Sequence, residues 1–171
     1  MKNLLKYAGI CAAVLALIAF ILVIACNAMK ADFGFGTDKV KGMDAIFAKG
    51  DCKHMDKALA GVFGFIFLIV AIIILVLGFV LPLVGKNMDA KIAGVLNIVA
   101  AVLLILAGIL IICTKNSWID ANYGDDLTKS QIKELKKNID LTAEYAIAGV
   151  LAIIAGLVAL APAAADFMDK K

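Results

Sequence analysis

The chain has 171 residues, enough for one domain, and 64% of them are hydrophobic, against roughly 45–50% in a soluble domain. Mean hydropathy is +1.00 and net charge is only +3. These values exclude a water-soluble or disordered chain, and the loops mix both signs too evenly to offer nucleic acid a basic patch.

The apolar residues gather in four uncharged runs, Tyr7–Met29, Ala58–Gly85, Ile92–Thr114 and Tyr145–Ala165. A helix needs about 20 apolar residues to cross the hydrocarbon core, and all four runs reach that length. All 17 basic residues are Lys, and Asp far outnumbers Glu, a bias that points to an AT-rich bacterial genome.

Near its outer end the first run reads Val23-Ile24-Ala25-Cys26, behind a start containing Lys2 and Lys6, which resembles a lipoprotein signal peptide. The apolar stretch before Cys26 is longer than the roughly 7–15 residues of a signal-peptide core. The expectation is therefore a retained helix with Cys26 at its outer end. In the connection that follows, Phe33-Gly34-Phe35-Gly36 reads as a turn with interfacial aromatics. Asp38–Phe47 reads as a short amphipathic helix, with Val40, Met43, Ile46 and Phe47 on one face. Cys52-Lys53-His54 holds the one His, but no ligand spacing supports a metal site there, and no cofactor motif occurs.

Asn97 is the one strongly polar side chain deep in a span, and it suits an interhelical hydrogen bond. Trp118 and Tyr123, after the third run, suit an interfacial aromatic belt. Thr128-Lys129-Ser130-Gln131 is a capping-box pattern. Leu135, Ile139 and Ala143 continue the face of the fourth run, so one unbroken helix is predicted from Thr128 into the membrane. At 1.5 Å per residue its first 17 residues would project roughly 25 Å beyond the bilayer.

Lipid tails are as apolar as Leu, so small residues that let backbones approach do much of the work of holding spans together. Each run carries such residues at alternating spacings of three and four. They include Gly9 and Ala16 in the first run and Gly61, Gly64 and Gly78 in the second. Gly94, Asn97 and Gly108 mark the third, and Ala152, Ala155 and Ala159 the fourth. Spacing near 3.5 predicts a left-handed bundle. The fold expected is an all-α membrane protein: a left-handed four-transmembrane-helix bundle with a small extracellular helical cap and a fourth helix extended outside the membrane.

Two tails and a tight turn at Lys86–Lys91 lie on one side, two long connections on the other. Lys density is higher on the tail side, at Lys2, Lys6, Lys86, Lys91, Lys170 and Lys171, which places both termini in the cytoplasm of a cell membrane. Cys26, Cys52 and Cys113 then face an oxidising exterior, where a Cys26–Cys52 or Cys52–Cys113 disulfide becomes available and one thiol is left over. Cys11, in the inner half of the first span, is expected simply to pack.

Four spans, cytoplasmic ends, a tight inner turn and two outer loops resemble the layout of tetraspan proteins of the claudin and MARVEL kind. The resemblance covers the whole chain as topology. The first outer loop has Cys52 but neither the Trp nor the paired Cys of claudins, and the tetraspanin Cys-Cys-Gly is absent. The layout implies adhesion, scaffolding or lateral assembly. The spans hold no buried ionisable pair of the kind that couples ions to transport, and no acid, base and nucleophile set marks an enzyme. The expected role is a non-enzymatic structural or interaction protein, forming a homo-oligomer or joining other membrane proteins in the bilayer. The alternatives are a channel or small-molecule transporter with an inter-subunit pore, or an auxiliary subunit of a larger membrane complex.

Overall fold

A computed structural model describes residues 2–32, 37–83 and 90–168. The expected turn at 33–36 and most of the Lys86–Lys91 turn lie outside the described residues. The elements are α1 (Lys2–Ala25), β1 (Asn27–Asp32), β2 (Thr37–Lys41), α2 (Gly42–Phe47), a 3-10 turn at Gly50–Cys52, α3 (Leu59–Leu83), α4 (Ala90–Ile112), α5 (Thr114–Tyr123), α6 (Lys129–Asn138), β3 (Ile139–Leu141) and α7 (Ala143–Met168).

Among the described residues, four helices are long and apolar enough to cross a membrane: α1, α3, α4 and α7. The shortest span, Tyr7–Ala25, has 19 residues. At 1.5 Å per residue it covers about 28 Å, close to the roughly 30 Å hydrocarbon core. Most large residues point outward, and small ones fill much of the interior beside a few large ones such as Leu68, Leu104 and Ile111. Ile21, Phe63, Ile73, Val95 and Leu157 are exposed, whereas Ala12, Ala16, Ala19, Ala71, Ala101, Ala152 and Ala155 are fully buried. Water would reverse that order, because burying large apolar side chains drives folding there. Lipid removes the drive and leaves close backbone approach as the gain.

The two long connections meet at one end of the bundle, where α1 and α4 finish and α3 and α7 begin. They build one unit, here called the cap. It is not all-helical, and this corrects the all-α expectation. β1 is the middle strand of an antiparallel sheet in the order β2-β1-β3. Met29 lies opposite Val40 and Leu141, and Ala31 opposite Asp38 and Ile139. Side chains alternate across a strand; accordingly Met29, Ala31 and Ile139 are buried while Lys30 and Asp140 are exposed.

Two expected helices change accordingly. Residues 37–41 of the Asp38–Phe47 segment join the sheet, and only Gly42–Phe47 is helical. The apolar face survives the change: Ile46 is fully buried, and Val40, Met43 and Phe47 pack against the core. The long helix from Thr128 is broken. Its start stands, with Thr128 N–H donating to Gln131 Oε1 at 2.9 Å in a complete capping box. It ends at Asn138, because Ile139–Leu141 pairs with β1. Thr142 then starts α7 afresh. Its N–H donates to the Ala28 carbonyl at 3.0 Å, its hydroxyl donates to the Asn27 carbonyl, and Tyr145 N–H donates back to the hydroxyl. One side chain both caps a span and ties it to β1. Thr142→Val keeps the shape and removes the hydroxyl, and should cost about 1–2 kcal/mol in reversible unfolding of the full chain. The exposed cap variant Thr128→Val should cost less.

α1 ends at Ala25, short of Met29 where the apolar run stops, because Asn27 already belongs to β1. Cys26 N–H still bonds the Leu22 carbonyl at 3.0 Å, and the Cys26 carbonyl accepts from Gly42 N–H at 3.1 Å. Gly42 is where β2 turns into α2 against the end of α1. A Cβ there would collide with the Val23 carbonyl oxygen and lie 2.8 Å from the Tyr145 ring. Above this joint Phe65 of α3 stacks on Phe20 of α1 at 5.5 Å and meets Phe47 of α2 edge-on at 5.6 Å.

Candidate functional site: the helix seam and the slot under the sheet

The spans α4 and α7 approach each other closely at their glycines. A Cβ on Gly108 would collide with the Gly149 carbonyl oxygen and stand 2.6 Å from Ile153 Cγ1. A Cβ on Gly149 would be 2.9 Å from the Gly108 carbonyl oxygen, and one on Gly156 would be 2.8 Å from that of Ala101. Ala101 and Gly108 are seven residues apart, as are Gly149 and Gly156, so two backbone contacts recur every two turns along antiparallel helices. Gly108 is in the small-residue stripe read from the sequence; Gly149 and Gly156 are not. That stripe follows Ala152, Ala155 and Ala159, which are fully buried toward the bundle centre. The glycines lie beside it and face α4. Their seven-residue spacing was the available signal.

The other stripe residues divide. Gly9, Ala16 and Gly94 are buried within the bundle. Gly64 faces α4, where a Cβ would sit 3.2 Å from the Ala107 carbonyl oxygen. Gly61 faces the cap joint instead, with Ile46 Cγ1 and Thr114 Cγ2 each 3.0 Å from its added Cβ. At Gly78 an added Cβ meets nothing within 4 Å among the described residues, so this glycine closes no seam with them. Asn97 lies on the inward stripe of α4 and is half-buried. Cys11 is exposed on α1, on the lipid-facing side rather than in the core.

The cap is fastened to the spans through α5. Asn122 Oδ1 accepts from Asp56 N–H at 2.7 Å, and its Nδ2 donates to the Asp56 carbonyl at 3.1 Å and to the Trp118 carbonyl at 2.9 Å. Ser117 Oγ accepts from Ala60 N–H at the start of α3. Lys115 Nζ donates to the Lys136 carbonyl, and Lys136 pairs with Asp120 at 2.6 Å. That ion pair is substantially exposed and worth about 0–1 kcal/mol. Tyr145 sits fully buried where bundle and cap meet. The Thr114 hydroxyl beside it donates to the Leu110 carbonyl, and Tyr145 Oη has no hydrogen-bond partner among the described residues.

Between the covered face of the sheet and α5 lies a slot of about 350 Å³. Met29, Ala31, Val40 and Ile139 form its sheet side, Cys52 and Met55 one flank, and Trp118 and Tyr123 the opposite wall. Asp38 and Lys39 stand exposed at the mouth. Trp118 is only 5% exposed, so it is buried in protein and does not join an interfacial belt. Its ring meets Tyr123 edge-on at 6.1 Å, and its Nε1–H is buried with no partner. Of the expected outer thiols, Cys52 is buried in the slot wall, Cys26 is half-buried after α1, and Cys113 is exposed between α4 and α5. Among the described residues no group of three or more His, Cys, Asp or Glu could hold a metal ion.

Four apolar spans define a multi-pass helical membrane protein. The chain matches no protein-family model, and no curated protein matches it.

Proposed function

We propose that this protein is a non-enzymatic scaffold or interaction protein of the cell membrane that self-associates through its spans and its cap. The observation that supports this most is the filled interior. Ala12, Ala16, Ala19, Leu68, Ala71, Leu104, Ala107, Ala148 and Ala152 are each fully buried, so side chains occupy the bundle axis along most of its length. Among the described residues a solute path through a single bundle has no room, and the surfaces available for work are the lipid-facing sides and the cap. In this reading the helices wind as a left-handed bundle, the cap is extracellular, and both termini are cytoplasmic.

Labelled protein reconstituted into large liposomes over a range of densities, with photobleaching steps counted per spot, tests the reading. Self-association gives multi-step spots whose fraction rises with density and saturates. Single-step spots at every density would remove it. The second reading, a channel with a pore between subunits, draws on Asn97, an amide on the inward stripe that is only half-buried. Solute flux into the same liposomes separates the two.

A further inference from the structure

We propose that the slot under the sheet binds a small organic cation, an ammonium group carried on a compact apolar body. The strand register decides which charge faces the slot. Residues directly opposite in an antiparallel pair share a face of the sheet. Met29 lies opposite Val40, and Ala31 opposite Asp38, so Asp38 leaves its strand on the face whose apolar residues line the slot. Lys39 lies opposite Lys30, and Lys30 opposite Asp140, which puts both lysines on the outer face. Among the lining residues, the one charged side chain on the covered face of the sheet is thus a carboxylate. It stands exposed at the mouth, and among the described residues it makes no ion pair or hydrogen bond. On the opposite wall Tyr123 is half-buried, and Trp118 meets its ring edge-on at 6.1 Å, which holds that ring in place. The negative face of an aromatic ring attracts a cation, and a carboxylate does the same. Met29, Val40, Met55 and Ile139 supply an apolar interior behind them. A cavity of roughly 150 Å³ takes one benzene ring, so a slot of about 350 Å³ has room for a ring and a trimethylammonium group together. The body is buried while the charge rests near the mouth, where water still reaches it, so the full cost of burying an ion is avoided. An anion of the same size meets Asp38 as a like charge. The site stands independently of self-association, since every residue in it belongs to one chain.

Met29 and Met55 line the slot, whereas Met43 packs on α2 away from it. Carbon-13 labels at the Met methyls therefore report occupancy and carry their own control. The full chain in nanodiscs of zwitterionic lipid is titrated with phenyltrimethylammonium and, separately, with benzenesulfonate, which has the same ring and the opposite charge. The site predicts saturable shifts at Met29 and Met55, and little change at Met43, with phenyltrimethylammonium. It predicts at least about tenfold weaker binding of benzenesulfonate. Asp38→Asn, at an exposed position, should weaken the ammonium compound about threefold or more, whereas Lys39→Gln on the outer face should not weaken it. Ala31→Leu, which fills the sheet side of the slot, should abolish saturation, and Tyr123→Leu should weaken binding if Ala31→Leu does not fold. Shifts that never saturate, equal binding of the two compounds, or binding unchanged by Asp38→Asn or by a folded filled variant would each overturn the proposal.

Discussion

Gly108→Ala should destabilise the bundle by about 1–3 kcal/mol, and Gly108→Leu should prevent α4 and α7 from closing. The added methyl would strike the Gly149 carbonyl oxygen and lie 2.6 Å from Ile153 Cγ1, and a backbone oxygen has no rotamer with which to move away. The helices must separate, and Gly156 against Ala101 two turns along would lose its contact with them. Gly78→Ala is the matched control. It lies in the same class of small-residue stripe but its added Cβ meets no atom of the described residues within 4 Å, so it should be neutral or should stabilise by up to about 1 kcal/mol through helix propensity. Reversible unfolding of both variants in bicelles measures the difference. Equal stability for the two would mean that the close α4–α7 backbone contact does not constrain the bundle.

Gly42→Val should release the cap while leaving the spans folded. Its Cβ would collide with the Val23 carbonyl oxygen at the end of α1 and press on the Tyr145 ring at the start of α7. Both obstacles belong to spans, so the yielding part is the β2–α2 joint. An overpacking cost near 3 kcal/mol falls on the cap alone. Amide exchange should therefore speed up at Met29, Ala31, Ile139 and Leu141, which pair within the sheet, and stay slow at Leu68, Leu104 and Ala152 inside the bundle. A uniform loss of protection along the chain would show that cap and bundle unfold as one unit.

The spans were legible because runs of 20 apolar residues have one physical outcome. The inward placement of Ala16, Gly64 and Gly108 was legible because helical spacing sorts small from large residues. The sheet was not. Ile139-Asp140-Leu141 alternates like a strand, yet Leu135, Ile139 and Ala143 also fit a helical face, and three residues cannot decide between the two periods. The deciding partner is β1, more than a hundred positions earlier. Val40 and Ile46 likewise fit one helix by spacing, but the joint at Gly42 splits them between strand and helix. On α7, small residues occur on two adjacent faces, Ala148, Ala152 and Ala155 on one and Gly149 and Gly156 on the other. Composition alone does not say which meets α4. The place of Trp118 after a span suggests a membrane-surface residue. Its burial came from the sheet that covers it, and the slot became visible with the sheet.

Membrane-impermeant maleimide applied to sealed cells tests the architecture most directly, using single-cysteine variants that place the thiol at Lys39→Cys, at Cys113 itself and at Lys170→Cys. Lys39 and Cys113 are exposed on the two connections that share the cap. The four-span bundle predicts that both label from the same side and the thiol at position 170 from the other; in the orientation proposed above, position 170 labels only after the membrane is opened. Labelling of positions 39 and 113 from opposite sides would contradict it, because the sheet, the slot and the α5 fastenings all require the two connections to meet.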